Sequence, residues 1–262
     1  MGKFSFTGAS LRLRGYHDTP SWNSIGSGDI TVGMEMEVAG FRDRGEVISA
    51  LTQEGMTERF MLATTDSSIG GSGIEWVTQP IGIDYLESEG FDIIGQSLEI
   101  MASHGGKGMD AHVSCGCHHN FSCDSLPNSR KVWVPAMEAV FKYYDTVFKK
   151  FSGKNRSDNY ARIPDSGDFE RYCQENGKYA FFNHRGNGVM EMRFPGMVMD
   201  PGMFRAQTRL CTSAARVAMD VHKGHDIDVG DMTFLELFKP KDEDLEVLSK
   251  MGVHSRILEG KH

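Results

Sequence analysis

Between Thr31 and Gly40 the apolar residues Val32, Met34, Met36 and Val38 alternate with Thr31, Gly33, Glu35 and Glu37, the period of two that a half-buried strand requires. One face of this strand is core, and the other carries two carboxylates. The same period returns in Gly188 to Phe194, where Glu191 and Arg193 alternate with Met190, Met192 and Phe194. It recurs from Ala111 to Ser122, which sets His112, Ser114, Gly116, His118, Asn120 and Ser122 against Val113, Cys115, Cys117, His119 and Phe121. Arg59 to Thr65 and Gly73 to Thr78 predict a hairpin joined by the Gly/Ser-rich turn Asp66 to Ser72. Lys178 to Asn183 is expected to pair with Gly188 to Phe194 around the turn His184-Arg185-Gly186-Asn187.

Helical periodicity marks Tyr85 to Ser103, with Phe91, Ile94, Leu98 and Met101 on one stripe and His104-Gly105-Gly106 as a stop. Pro135 is expected to open a long helix that runs to Phe151 through Ala139, Val140, Tyr143 and Val147, with Lys149 and Lys150 at its C-terminus. Shorter helices are predicted over Asp43 to Gly55 and, on the surface, Asp242 to Gly252, and a long one over Met203 to His222, stopped by Gly224. Gly153 to Gly177, containing Arg156, Tyr160 and Arg162, reads as an irregular polar excursion with the character of a lid. No repeat, low-complexity tract or linker divides the chain, so residues 1–262 are expected to form one α+β unit.

Composition narrows the picture. A chain of 262 residues with 39% hydrophobic content can bury a substantial core. Its net charge of -8 argues against a generic nucleic-acid surface, and any bound polyanion would need positive charge concentrated in metal ions and arginines. The N-terminal residues carry Lys3, Arg12 and Arg14 without an apolar run, so neither a secretory signal nor a membrane span is expected, and the location is expected to be cytoplasmic. Gly2 does not make a myristoylation motif, because Phe6 stands where Ser or Thr is needed.

Five cysteines in such a chain suggest reduced thiols. Cys115, Cys117 and Cys123 flank His118 and His119 and raise zinc, although Cys-x-Cys is not the usual Cys-x-x-Cys knuckle and no second half follows at finger spacing. A zinc-stabilised binding module on Cys115, Cys117 and His119 is therefore the non-enzymatic alternative. The 16 methionines read as core packing.

The acids carry the stronger signal. Glu35 and Glu37 repel each other on an otherwise apolar strand, an arrangement that calls for a cation or a shared proton, and this points to a divalent-metal enzyme. Taken in order, Gly33-Met34-Glu35-Met36-Glu37, Asp66-Ser67-Ser68 with Gly73-Ile74-Glu75-Trp76-Val77-Thr78-Gln79-Pro80, the His118 strand and Glu191-Met192-Arg193-Phe194 form a pattern that resembles the amidoligase family. These are carboxylate–amine ligases with the glutamine-synthetase-like fold. Asn159-Tyr160-Ala161-Arg162, the strand ending at Asn183 and the helix after Met199-Asp200-Pro201 extend the resemblance, which runs from about residue 31 to about residue 222.

The resemblance implies a curved antiparallel sheet, lined with acids and covered by helices, around a site where ATP phosphorylates a carboxylate and an amine displaces the phosphate. It implies Glu35, Glu37, Glu75, His118 and Glu191 as ligands of two or more Mg2+ or Mn2+ ions. Arg193 would steady the phosphoryl group or substrate carboxylate, Asp66 would orient or deprotonate the amine, and Arg162, Asn183 and Arg185 would hold ATP. Asn120 stands where such families usually place a second histidine, and His112 on the same face could share that task. Expected partners are a small-molecule or peptide carboxylate and an amine, with homo-oligomerisation open and neither nucleic acid nor membrane involved. A phosphagen-type kinase on the same fold and a metal-dependent hydrolase that uses no ATP are the alternative enzymes.

Overall fold

Strand β2 (Ile30–Val38) runs through the middle of the sheet, hydrogen-bonded on one side to β4 (Ile74–Thr78) and on the other to β6 (Cys117–Cys123), both antiparallel. This computed structural model describes residues 4, 6–15, 22–109, 115–153, 161–164 and 168–260, with only the backbone of Glu170 and Cys173. His112, Arg156 and Tyr160 lie outside the described residues. With β1 (Leu13–Arg14), β3 (Met61–Thr64), β7 (Phe182–Gly186) and β8 (Val189–Met192), the strand order is β1-β3-β4-β2-β6-β8-β7. A short β5 (Ile81–Gly82) also pairs with β2.

The all-antiparallel expectation is corrected at one edge. β1 lies parallel to β3, with Leu13 opposite Ala63, so the sheet is mixed. The bidentate pair of Arg14 with Glu58, at 3.0 and 2.6 Å, secures that edge.

Alternation along β2 gives the sheet its two sides. Val32, Met34, Met36 and Val38 are fully buried and join one contiguous apolar cluster beneath the helices. Those helices are α1 (Arg44–Gln53), α2 (Phe91–Ser103), α3 (Val134–Lys142), α4 (Phe169–Asn176), α5 (Pro201–His222), α6 (Phe234–Phe238), α7 (Asp242–Lys250) and α8 (Ser255–Leu258). The long α5 packs against α2, α3, β6 and β2. Its start follows the chemistry of its sequence: the Asp200 carboxylate accepts from Met203 N at 2.8 Å, and Pro201 sits in the first turn where its missing N–H costs nothing.

Several boundaries differ from the sequence expectation. The Pro135 helix stops at Lys142 and turns before a 3-10 segment at Phe148–Phe151. The break lets Tyr143 reach the Met232 carbonyl with its hydroxyl and pack edge-on to Phe234 and Phe238. The polar excursion contains α4, whose Tyr172 packs on Phe181. A π turn at Leu86–Gly90 precedes α2. The β7–β8 connection is the two-residue turn Asn187-Gly188, both at positive φ (51° and 76°), the hairpin geometry that Asn-Gly favours. Arg185 therefore belongs to a strand, at an irregularity between His184 and Gly186, and not to the turn.

Among the described residues, no helix is long and apolar enough to cross a membrane.

Candidate functional site

Register decides which polar side chains meet on the face away from the helices. Glu35 stands opposite His118, Glu37 opposite Glu75, and Glu191 opposite both Asn120 and Asn183. Sequence alternation puts each of these on the right face of its own strand, and the pairing then brings five strands' contributions together.

Two groups result. In the first, one ligand atom each from Glu35, His118 and Glu191 lies within 4.8 Å of the others. His118 Nδ1 is 3.1 Å from Glu35 Oε2 and 3.5 Å from Glu191 Oε1. In the second, Glu37, Asp66 and Glu75 meet under the same limit. His118 Nε2, 3.9 Å from Glu37 Oε1, stands between the two groups. Asp66 arrives by a local device: its carboxylate accepts from Ser68 N at 2.7 Å and caps the 3-10 turn Ser67–Ile69.

Arginines and amides supply part of the compensation. Glu191 is fully buried and accepts from Arg193 Nη1 at 2.5 Å, Arg185 Nη1 at 3.1 Å and Asn183 Nδ2 at 2.7 Å. Arg185 Nη1 also approaches Glu35 Oε1 at 3.4 Å, and Asn120 Nδ2 donates to the same oxygen at 3.2 Å. Asn120, at the position of the expected second histidine, thus supports a carboxylate. Glu37 Oε2 takes the Gly116 N–H at 2.5 Å.

The second group is less well compensated. Burial, followed by the charge of Glu35, pushes the Glu75 carboxyl up from 4.5 to about 8; the Thr64 hydroxyl bond at 2.9 Å opposes this, and Glu37 and Asp66 add to it. At neutral pH without a cation, Glu75 holds its proton. Donor chemistry fits divalent ions in both places: oxygen alone from Glu37, Asp66 and Glu75, and two carboxylates with an imidazole in the first group.

Glu191→Gln leaves the largely buried Arg193 against a neutral acceptor, at a cost on the order of 1–3 kcal/mol. Urea denaturation with unchanged stability would refute this.

Arg162 is exposed, with its guanidinium 5.8 Å from the Tyr179 ring centre and its backbone bridged to Ala180. Of the residues in the zinc alternative, Cys117 Sγ and His119 Nε2 lie 4.0 Å apart on the buried side of the sheet. His119 faces α5, wholly buried, with Nδ1 3.1 Å from the Cys117 carbonyl and Nε2 2.9 Å from Thr208 Oγ1. Burial lowers its pKa to about 4, so the ring is neutral at pH 7. Among the described residues, no group of three such ligand atoms includes a cysteine.

Beside the first group lies a cleft of about 630 Å³, floored by Thr31, Gly33, Glu35, Asn120 and Ser122 and walled by Trp22 and Arg185. Sequence reasoning missed the Trp22 to Gly28 wall, because nothing local ties it to the sheet. Its anchors are long-range: Ile25 N to Pro80 O, Gly82 N to Ile25 O, and Asn23 N to Gln79 Oε1.

Fold and site together define a protein of mixed α and β structure whose eight-stranded sheet brings together two groups, Glu35–His118–Glu191 and Glu37–Asp66–Glu75, that could hold metal ions, beside a polar cleft. No family model matches the chain, and no curated protein matches it. Solved structures similar to it include a GmaS/ADP complex, GmaS being gamma-glutamylmethylamide synthetase, at 10% identity and TM-score 0.46, over 89% of this chain and 66% of that one. Another is the complex of the prokaryotic ubiquitin-like protein Pup with its ligase PafA, at 12% identity and TM-score 0.42, over 88% of this chain and 64% of that one. The chain thus spans just under two thirds of the length of each.

Proposed function

We propose that the chain acts as one catalytic unit, an ATP-dependent carboxylate–amine ligase using Mg2+ or Mn2+. One observation carries this reading: Glu35–His118–Glu191 and Glu37–Asp66–Glu75 lie side by side, joined through His118, at the end of a cleft bordered by Arg185. The ordered motifs that resemble the amidoligases support it.

Bound divalent ions would neutralise the polyphosphate and make its terminal phosphorus a better electrophile. The two acidic groups would hold those ions, while Arg185, half exposed between Glu35 and Glu191, would turn its remaining donors toward phosphate oxygens. A substrate carboxylate oxygen attacks the γ-phosphorus and ADP leaves. The amine nitrogen then attacks the acyl carbon, and the phosphate departs with the electron pair of the broken C–O bond. Arg193 fits charge stabilisation beside Glu191, and Asp66, through the carboxylate oxygen it would not give to an ion, fits acceptance of the amine's proton. A small-molecule or peptide carboxylate and an amine are the proposed substrates.

The test is calorimetric binding of ATP with and without Mg2+ or Mn2+, followed by a screen of carboxylates with amines for ADP release and an amide product. Phosphate transfer without an amide would favour the kinase, and absence of nucleotide binding in folded protein would refute the ligase. Arg193→Lys is expected to retain under a tenth of the ligase rate, because a point charge cannot reproduce the guanidinium fork that spans Glu191 and the reacting group. A full rate in that variant removes Arg193 from the chemistry.

A further inference from the structure

The Trp22 wall is built to present an aromatic face. Trp76 and Trp133 are fully buried, whereas Trp22 is 44% exposed and lines the cleft. The backbone next to Trp22 is tied to the sheet: Asn23 N donates to Gln79 Oε1 at 3.0 Å, and Gln79, itself buried, returns a bond from Nε2 to the Glu58 carbonyl at 3.2 Å.

Its position relative to the acids follows from the ladder. Ile25 bridges Ile81, and Ile81 pairs with Val32 of β2, so the wall lies two interstrand spacings, about 10 Å, from the strand that carries Glu35. The wall runs parallel to β5 and therefore antiparallel to β2, so the step from Ile25 back to Trp22 leads toward the Glu35 end of β2. That spread matches a nucleotide with its phosphates at Glu35 and Arg185 and its base at the wall. The floor between them carries Thr31, Gly33, Asn120 and Ser122, small or polar groups that suit a sugar.

We infer that Trp22 is the stacking platform for the nucleobase of the bound nucleotide, an inference that rests on the proposed nucleotide-dependent reading and assigns the base end of that site. Stacking on an indole needs only a π face.

Trp22 can report its own contact, because the other two indoles are shielded. With Mg2+ present, ATP is expected to quench the exposed part of the tryptophan emission and protect it from iodide, while inorganic tripolyphosphate, which lacks a base, leaves it unchanged. Trp22→Leu, at an exposed position that leaves folding intact, is expected to abolish the quench and weaken ATP binding about tenfold or more, with tripolyphosphate affinity unaltered. Equal ATP affinity in wild type and Trp22→Leu, with tripolyphosphate still bound, overturns the platform and leaves the ligase reading standing. Failure of both ATP and tripolyphosphate to bind overturns both.

Discussion

Glu35→Gln is expected to abolish metal-dependent ATP turnover while the protein stays folded. Glu35 is the acid that faces outward from the first group: its side chain keeps 18% exposure and reaches His118, Asn120 and Arg185. Glutamine preserves volume and can still accept from Asn120, so packing is retained. What disappears is one negative charge at the boundary between the metal-type cluster and the cleft. Loss of a charged oxygen ligand weakens divalent-metal binding by several kcal/mol, which is a drop of a hundredfold or more in affinity. Calorimetry of Mn2+ binding, alongside ADP release and a thermal melt, separates the effects. A folded variant with near-normal metal affinity and turnover would remove Glu35 from the site.

The same residue shows how much a sequence can say. Glu35, Glu37, Glu191 and Arg193 were legible because a half-buried strand displays its two faces at a period of two. His118 and Asn120 were placed opposite His119 and Phe121 by that logic, and the structure keeps the division: His119 in the core, His118 among the acids. Which acid meets which was not legible. β2 pairs with β4 and β6, strands some 40 and 90 residues away in the chain, and register between distant strands depends on the whole core. Arg185 was misplaced for a related reason, since the positive-φ pair Asn187-Gly188 shifts the turn and the irregularity at Arg185 aims its side chain at Glu35 and Glu191. Helix ends failed where tertiary contact overrode periodicity, as at Tyr143, whose hydroxyl reaches the Met232 carbonyl.

Asn183 and Asn120 extend this point to chemistry. As single residues they carry no metal or phosphate signature, yet each donates an amide hydrogen to a carboxylate of the first group. Asn183 joins Arg193 and Arg185 as a donor to Glu191, which has no exposure at all. Glu75 lacks such support, with Thr64 as its hydroxyl donor and Glu35, Glu37 and Asp66 as its charged neighbours. The two acidic groups thus differ in their need for a cation.

Metal-free protein is accordingly expected to lose stability as pH rises toward and through 8, and divalent ions are expected to reverse the trend. Glu75 has a folded-state pKa near 8 against an ordinary value of 4.5, set first by burial and then by Glu35. Between those values the folded chain holds a proton that the unfolded chain has released, so unfolding free energy falls with pH. The limiting slope is about 1.4 kcal/mol per pH unit. Glu75's contribution is fully present below its unfolded pKa and is lost as pH rises through the folded one. Glu75→Gln keeps the volume and the Thr64 hydrogen bond without the titration, so the wild-type-minus-variant difference isolates this carboxyl from every other titrating group. A divalent ion held by Glu37, Asp66 and Glu75 requires the deprotonated form, and its binding should release a proton and raise Tm more at pH 8 than at pH 6. Melts across that range, with EDTA or Mn2+, read both effects. Parallel pH profiles for wild type and Glu75→Gln would refute the buried protonated carboxyl, and a Mn2+ shift independent of pH would refute its place among the ligands.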